Sequence, residues 1–100
     1  MNLLLTQNIE QIEQICRAHK VKKLYVFGSA CSEKFNDNSD IDFIISFDNR
    51  YFDDYVENFF SLEDELKKLL KREIDLVTEE TLQNPYFIKV VNRTKTPIYE

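Results

Sequence analysis

Three aspartates, one glycine and one serine carry the chemical interest of this sequence. Asp40 and Asp42 stand two apart in a run otherwise made of Ile41, Phe43, Ile44 and Ile45. Side chains two apart on a strand share a face, so both carboxylates would project together from an apolar strand. Their repulsion is relieved by solvent or by a shared cation. Paired aspartate oxygens suit Mg²⁺, which takes one or two protein carboxylates and completes its shell with water and substrate phosphates. Asp75 repeats the pattern: Ile74 and Leu76 point one way, while Glu73, Asp75 and Val77 point the other. If the two strands are neighbours, three carboxylates can hold two metal ions about 3.5–4 Å apart, one polarising an acceptor hydroxyl and the other binding a triphosphate. Alone, the Asp-Ile-Asp run also reads as an exposed polar strand face.

Gly28 is the only glycine, where average usage of about 7% would place several in a chain of this size. It follows a β-prone run and precedes Ser29, a place where a residue without Cβ permits positive φ and lets backbone amides approach a ligand. Successive amides in such a turn cradle anions such as phosphate. A lone Gly-Ser pair is more often a simple turn, and its meaning here comes from the spaced acids after it.

These residues need elements to position them. Ile9, Ile12, Ile15 and Cys16 recur at helical spacing, and Asn8 with Gln11 forms a capping pair for a helix over roughly residues 5–19. Leu24-Tyr25-Val26-Phe27 reads as a buried strand ending at Gly28. A polar turn or loop spans Ala30 to Ser39, and a second strand runs from Asp40 to Phe47. Phe52, Tyr55, Val56, Phe59, Phe60, Leu66, Leu69 and Leu70 trace an amphipathic helix of roughly 17–20 residues, with its aromatic stripe read as core. Glu73 to Val77 forms a third strand, and Thr78 caps a short helical segment. Asn84 caps a last helix begun by Pro85 and running to about Asn92, and Pro97-Ile98-Tyr99 forms a final edge strand. The order implies an α+β (α/β) fold: a small mixed β-sheet with helices packed on one face and the other face left open for chemistry.

The bulk numbers agree with one domain over residues 1–100. The chain is 43% hydrophobic and 31% charged, which excludes a disordered chain. Its formal charge of −5 argues against sequence-independent nucleic-acid binding. The densest basic cluster, Lys67, Lys68, Lys71 and Arg72, alternates with Glu63, Asp64 and Glu65 and reads as a solvated helix surface. Cys16 and Cys31 have no metal-ligand spacing and read as reduced cytoplasmic thiols. No stretch approaches a membrane span. His19, the only histidine, stands where an imidazole can meet the terminal carbonyls of the first helix. No second histidine is available to make Cys31 or Ser32 a nucleophile.

Phe27-Gly28-Ser29, ten residues from Ala30 to Ser39, and then Asp40-Ile41-Asp42-Phe43-Ile44-Ile45 form a known signature. With Ile74-Asp75-Leu76-Val77 and the tail from Asn84-Pro85-Tyr86 to Pro97-Ile98-Tyr99, the chain resembles the DNA polymerase beta-like nucleotidyltransferases, and within them the minimal nucleotidyltransferase (MNT) antitoxins. The resemblance implies that Gly28 and Ser29 bind the triphosphate of ATP. It implies that Asp40, Asp42 and Asp75 are the catalytic residues, the first two holding the Mg²⁺ ions and Asp75 serving as third ligand. The reaction implied is transfer of AMP from ATP to a tyrosine hydroxyl of a HEPN-domain toxin, in a hetero-oligomer without nucleic acid. Many relatives carry an arginine directly after the Gly-Ser pair, where this chain has Ala30 and Cys31. A phosphate-neutralising charge is therefore missing there, and Lys34 or Arg50 would have to substitute from a neighbouring position.

Two other classes fit parts of the pattern. A catalytically silent antitoxin would neutralise its toxin by contact alone, and a nucleotide- or metal-binding structural domain would need no acceptor. Small-molecule nucleotidyltransferases share the signature but add a further domain to hold their acceptor, for which the chain has no room.

Overall fold

The computed structural model describes residues 3–28, 39–48 and 53–100, with only the backbone of Glu80. Its elements are α1 (Leu3–Gln7), α2 (Ile9–Ala18), β1 (Val21–Phe27), β2 (Ile41–Phe47), α3 (Tyr55–Leu70), β3 (Ile74–Thr78), a 3₁₀ turn at Glu79–Thr81, α4 (Pro85–Thr94) and β4 (Thr96–Tyr99). The architecture is the expected α+β one. The strands form one mixed sheet in the order β3-β2-β1-β4. β1 runs antiparallel to both β2 and β4, while β2 and β3 are parallel.

Strand alternation divides the sheet into two unlike faces. Leu24 and Val26 of β1, Ile41, Phe43, Ile45 and Phe47 of β2, and Ile74 and Leu76 of β3 enter the main core. They meet Ile12 and Cys16 of α2 and Leu62, Leu66 and Leu70 of α3. The intervening residues face the other way, where α4 brings Val91 against Phe27 and Ile44 in a second, smaller cluster. Phe87 of α4 meets the Phe27 ring edge-on at 5.6 Å. The face expected to be open is thus partly covered by α4, because Phe27 and Ile44 offer Val91 an apolar patch there, and Asp42 is left half-buried and Asp75 exposed.

Local chemistry explains most boundaries. The Asn84 carboxamide accepts the amide hydrogens of Tyr86 at 2.9 Å and Phe87 at 3.3 Å, so α4 begins on the cap and proline expected of it. Asn8 does not cap α2 with its side chain. Its amide nitrogen instead donates to the Leu4 carbonyl at 2.8 Å, which closes α1 and divides the expected single helix in two. Thr78 likewise makes no side-chain cap. Its carbonyl accepts from the Thr81 hydroxyl at 2.9 Å, so the segment closes as one turn. β1 begins three residues before Leu24, because Lys22 and Lys23 pass through an exposed bulge that hides the strand period.

Tyr55 and Phe59 pack on the core as the aromatic stripe predicts, but Phe60 is 60% exposed. Residue 60 falls outside the arc of α3 that Leu62, Leu66 and Leu70 turn inward. Phe52 lies outside the described residues. His19 is buried at the end of α2, its Nδ1 donating to the Ile15 carbonyl at 2.7 Å, with Glu65 Oε2 2.9 Å from Nε2.

Candidate functional site

β2 and β3 are parallel neighbours with Asp42 directly opposite Asp75, and Ile41 opposite Ile74. Directly opposed residues project from the same face. The two carboxylates therefore stand side by side on the face away from the main core, at the ends where both strands begin. Asp40 is exposed one residue before β2. The Ile41 amide donates to the Glu73 carbonyl at 3.2 Å, which holds the two strand entries together.

The acids feel one another. The Asp42 carboxyl is held above its usual range, first by its partial burial, then by the charge of Asp75 and then by that of Asp40. All three penalise the ionised form. A divalent cation would remove that penalty, and an all-carboxylate set of oxygens fits a hard ion such as Mg²⁺. Among the described residues no three His, Cys, Asp or Glu side chains are arranged to hold a metal ion as they stand. The donor chemistry and the strand register fit such an ion.

Gly28 ends β1 beside these acids, as Phe27 pairs with Asp42 across β1 and β2. It has φ +73°, and a Cβ built on it would lie 2.8 Å from Asp42 Oδ2. Glycine is required here twice over: for a backbone conformation that other residues enter at a cost, and for the space taken by a carboxylate. Its amide points toward α4, donating to Thr94 Oγ1 over a long 3.4 Å. Thr94, which no sequence motif singles out, ties α4 to the site. Ser29, Ala30, Cys31, Lys34 and Arg50 lie outside the described residues. The structure thus brings together Gly28, Asp42 and Asp75, with Asp40 at their edge.

The basic cluster lies close by. Lys67, Lys68, Lys71, Arg72 and Glu73 line a pocket of about 520 Å³ together with Ser39 and Asp40. Arg72 Nη1 donates to the Ser39 carbonyl at 2.9 Å, joining the turn after α3 to the entry of β2. Among the described residues no helix is long and apolar enough to cross a membrane.

This arrangement has known counterparts. The family model "Polymerase beta, Nucleotidyltransferase" matches residues 10–100. A Methanocaldococcus jannaschii protein named as a candidate protein adenylyltransferase is 36% identical over 93 residues, covering 85% of this chain and 92% of the relative. A solved structure described as a candidate minimal nucleotidyltransferase superposes with a TM-score of 0.77 at 26% identity, covering 97% of this chain and 96% of that one. The fold also recurs, with a TM-score of 0.64 at 21% identity over 95% of this chain and 71% of that one, in a complex of a tri-AMPylated Shewanella oneidensis HEPN toxin with an MNT antitoxin. A glycine turn beside two strand-paired aspartates, with a family match over nearly the whole chain, leads to one conclusion: the chain belongs to the polymerase beta nucleotidyltransferases and is a transferase of the minimal kind.

Proposed function

We propose that residues 1–100 act as one nucleotidyltransferase domain and as an antitoxin, moving AMP from ATP to a tyrosine hydroxyl of a HEPN-domain toxin in the cytoplasm. The observation that carries this reading is the register of Asp42 against Asp75 beside a glycine whose missing Cβ leaves room for the Asp42 carboxylate. A protein acceptor is supported by the name of the M. jannaschii relative and by the AMPylated toxin of the Shewanella complex.

In this reading Asp40, Asp42 and Asp75 would hold two Mg²⁺ ions, which would supply Lewis-acid polarisation of the acceptor hydroxyl and neutralise charge on the triphosphate. Gly28 and Ser29 give the nucleotide phosphates a close approach to backbone. The partly apolar floor around Asp42, made by Phe27 and Ile44, lowers the local dielectric and strengthens each charge contact in the site. Asp75, the more exposed of the strand pair, meets the acceptor side. The tyrosine hydroxyl gives its proton to the Asp75 carboxylate as its oxygen attacks the α-phosphorus, the bond to the β-phosphate oxygen breaks, and pyrophosphate leaves.

Incubation of the protein with radiolabelled ATP, Mg²⁺ and a HEPN-domain toxin tests this. Label should appear on a toxin tyrosine with wild type and not with Asp42→Asn. Absence of label on the toxin with the wild-type protein would sink the proposal. The residue after Ser29 favours one competing reading, since Ala30 brings no charge to the phosphates: a silent antitoxin that only binds. In that case Asp42→Ala would still neutralise the toxin in cells.

A further inference from the structure

His19 has no part in the chemistry proposed above, yet its side chain is only 9% exposed and each of its polar groups meets a partner. Its amide donates to the Cys16 carbonyl at 3.1 Å, and its own carbonyl accepts from Asn58 Nδ2 at 2.7 Å. Nδ1 lies 2.7 Å from the Ile15 carbonyl oxygen. Nε2 stands between two groups of α3, 3.0 Å from Ser61 Oγ and 2.9 Å from Glu65 Oε2. Asn58, Ser61 and Glu65 are spaced three and four apart, on one face of α3. A polar seam along α3 thus grips the corner between α2 and β1.

No single neutral form of the ring satisfies these surroundings. A carbonyl and a carboxylate only accept hydrogen bonds, whereas a hydroxyl donates or accepts. The imidazolium carries a hydrogen on each nitrogen and serves Ile15 and Glu65 together, at the C-terminal end of α2, where positive charge meets the last carbonyls. The neutral ring has one hydrogen. Kept on Nδ1, it leaves Nε2 with a lone pair that repels Glu65 and can accept only from the Ser61 hydroxyl. Moved to Nε2, it turns a lone pair on the Ile15 carbonyl, which is fixed in α2. The first form costs less, because the Glu65 side chain is 48% exposed and can withdraw into water. The other ionisable groups described at this corner are engaged elsewhere or neutral. Arg17 lies 3.6 Å from Glu13, and Lys20 lies 3.5 Å from Asp54. Asp48 meets the corner through its amide, which donates to the Lys20 carbonyl at 2.9 Å. Burial pushes the Cys16 thiol up to about 12, so it stays uncharged.

We propose that His19 is a proton-operated latch between the α2–β1 corner and α3. With the ring protonated, Glu65 closes on Nε2. When the Nε2 proton passes to solvent, Ser61 turns its hydroxyl hydrogen onto the bare nitrogen and Glu65 is released. Stability contributed by Glu65 is therefore present on the acid side of the transition and lost as pH rises, while the contribution of Ser61 runs the other way. The latch lies where β1 begins and β2 ends, at the far end of β2 from Asp42, and the inference holds whether or not the chain transfers AMP.

Thermal melting at about pH 5.5 and about pH 8.5, on either side of an ordinary histidine transition, tests the latch with three variants. Glu65→Gln should melt a few degrees below wild type at the lower pH and level with it at the higher. Ser61→Ala should lose more at the higher pH than at the lower. Glu13→Gln, which removes the neighbouring pair with Arg17 and leaves the ring alone, should shift equally at both. Because the chain has one histidine, the ring nitrogen resonances of the wild type are read directly and need no variant to fold. They should show hydrogens on both nitrogens in acid and on Nδ1 alone in alkali. An effect of Glu65→Gln that is equal at both pH values, or matched at each by Glu13→Gln, would overturn the latch. So would a Ser61→Ala loss confined to the lower pH, or a ring that carries its alkaline hydrogen on Nε2.

Discussion

The two faces of the sheet are made by the same strands and have opposite duties. On one face β2 sends Ile41, Phe43, Ile45 and Phe47 into the main core beneath α2 and α3. On the other, the alternate positions hold Asp42 and Ile44, and β3 adds Asp75. The first face lowers the free energy of the fold through apolar burial. The second raises it, because ionised carboxylates are brought together next to apolar neighbours. Alternation by twos lets one strand do both, so that chemistry sits on a scaffold fixed from behind.

Mutations on the two faces should therefore differ in size and in sign. The largest effect belongs to the core face. Phe43 is fully buried, and Phe43→Ala should cost about 3–5 kcal/mol, read as a fall in the urea midpoint; a loss under 1 kcal/mol would mean that β2 is not anchored by this face. Next comes the junction at Gly28. Gly28→Ala must place a Cβ 2.8 Å from Asp42 Oδ2 at φ +73°. It should lose about 1–3 kcal/mol and on the order of 100-fold in transfer rate through displacement of Asp42. A stable Gly28→Ala protein with full activity would separate the turn from the acids.

Asn84→Ala removes the cap of α4, the helix covering part of the second face, and should cost about 1 kcal/mol by thermal melting. Loss of more than twice that would mean that α4 is part of the main core. The smallest expected effect has the opposite sign. Asp42 titrates above its ordinary 3.8 in the folded chain because of burial, then Asp75, then Asp40. A carboxyl with a raised folded-state pKa favours folding below its unfolded value, and that contribution is lost as pH rises through the folded value. At neutral pH and without divalent metal, Asp42→Asn should therefore raise Tm by a few degrees, while it abolishes transfer. The gain should shrink as the pH falls through the raised folded value and vanish well below 3.8, where the wild-type carboxyl is neutral in both states. A fall in Tm at neutral pH would contradict the strain assigned to this face.

Much of this was legible in the residues. Alternation in Asp40–Ile45 and in Glu73–Val77 assigned the acids to one face, the helical stripe located α3, and Asn84-Pro85 marked the start of α4. The pairing of Asp42 with Asp75 needed β2 and β3 to be parallel neighbours, a long-range choice that no local period encodes. The same limit applies to α4, whose start is written in its cap but whose sheet face is decided by Val91 meeting Phe27 and Ile44. Local rules also failed where a side chain had two partners available, as at Asn8, which bonds backward to Leu4 instead of capping forward. Gly28 was legible as a turn, and the Asp42 carboxylate in the space where its Cβ would lie was not. The basic run at the end of α3 keeps Lys68 and Lys71 exposed but Lys67 and Arg72 half-buried, and the fold alone brings it against Asp40.

The central claim is that the acidic face binds a metal–nucleotide complex which relieves its own repulsion. Isothermal titration of ATP with Mg²⁺ into wild type, Asp42→Asn and Asp75→Asn tests it most directly. The account predicts saturable, Mg²⁺-dependent binding to wild type that is lost or weakened at least about tenfold in both variants while their melting temperatures hold or rise. Equal affinity in all three proteins, or binding unaffected by removal of Mg²⁺, would contradict it.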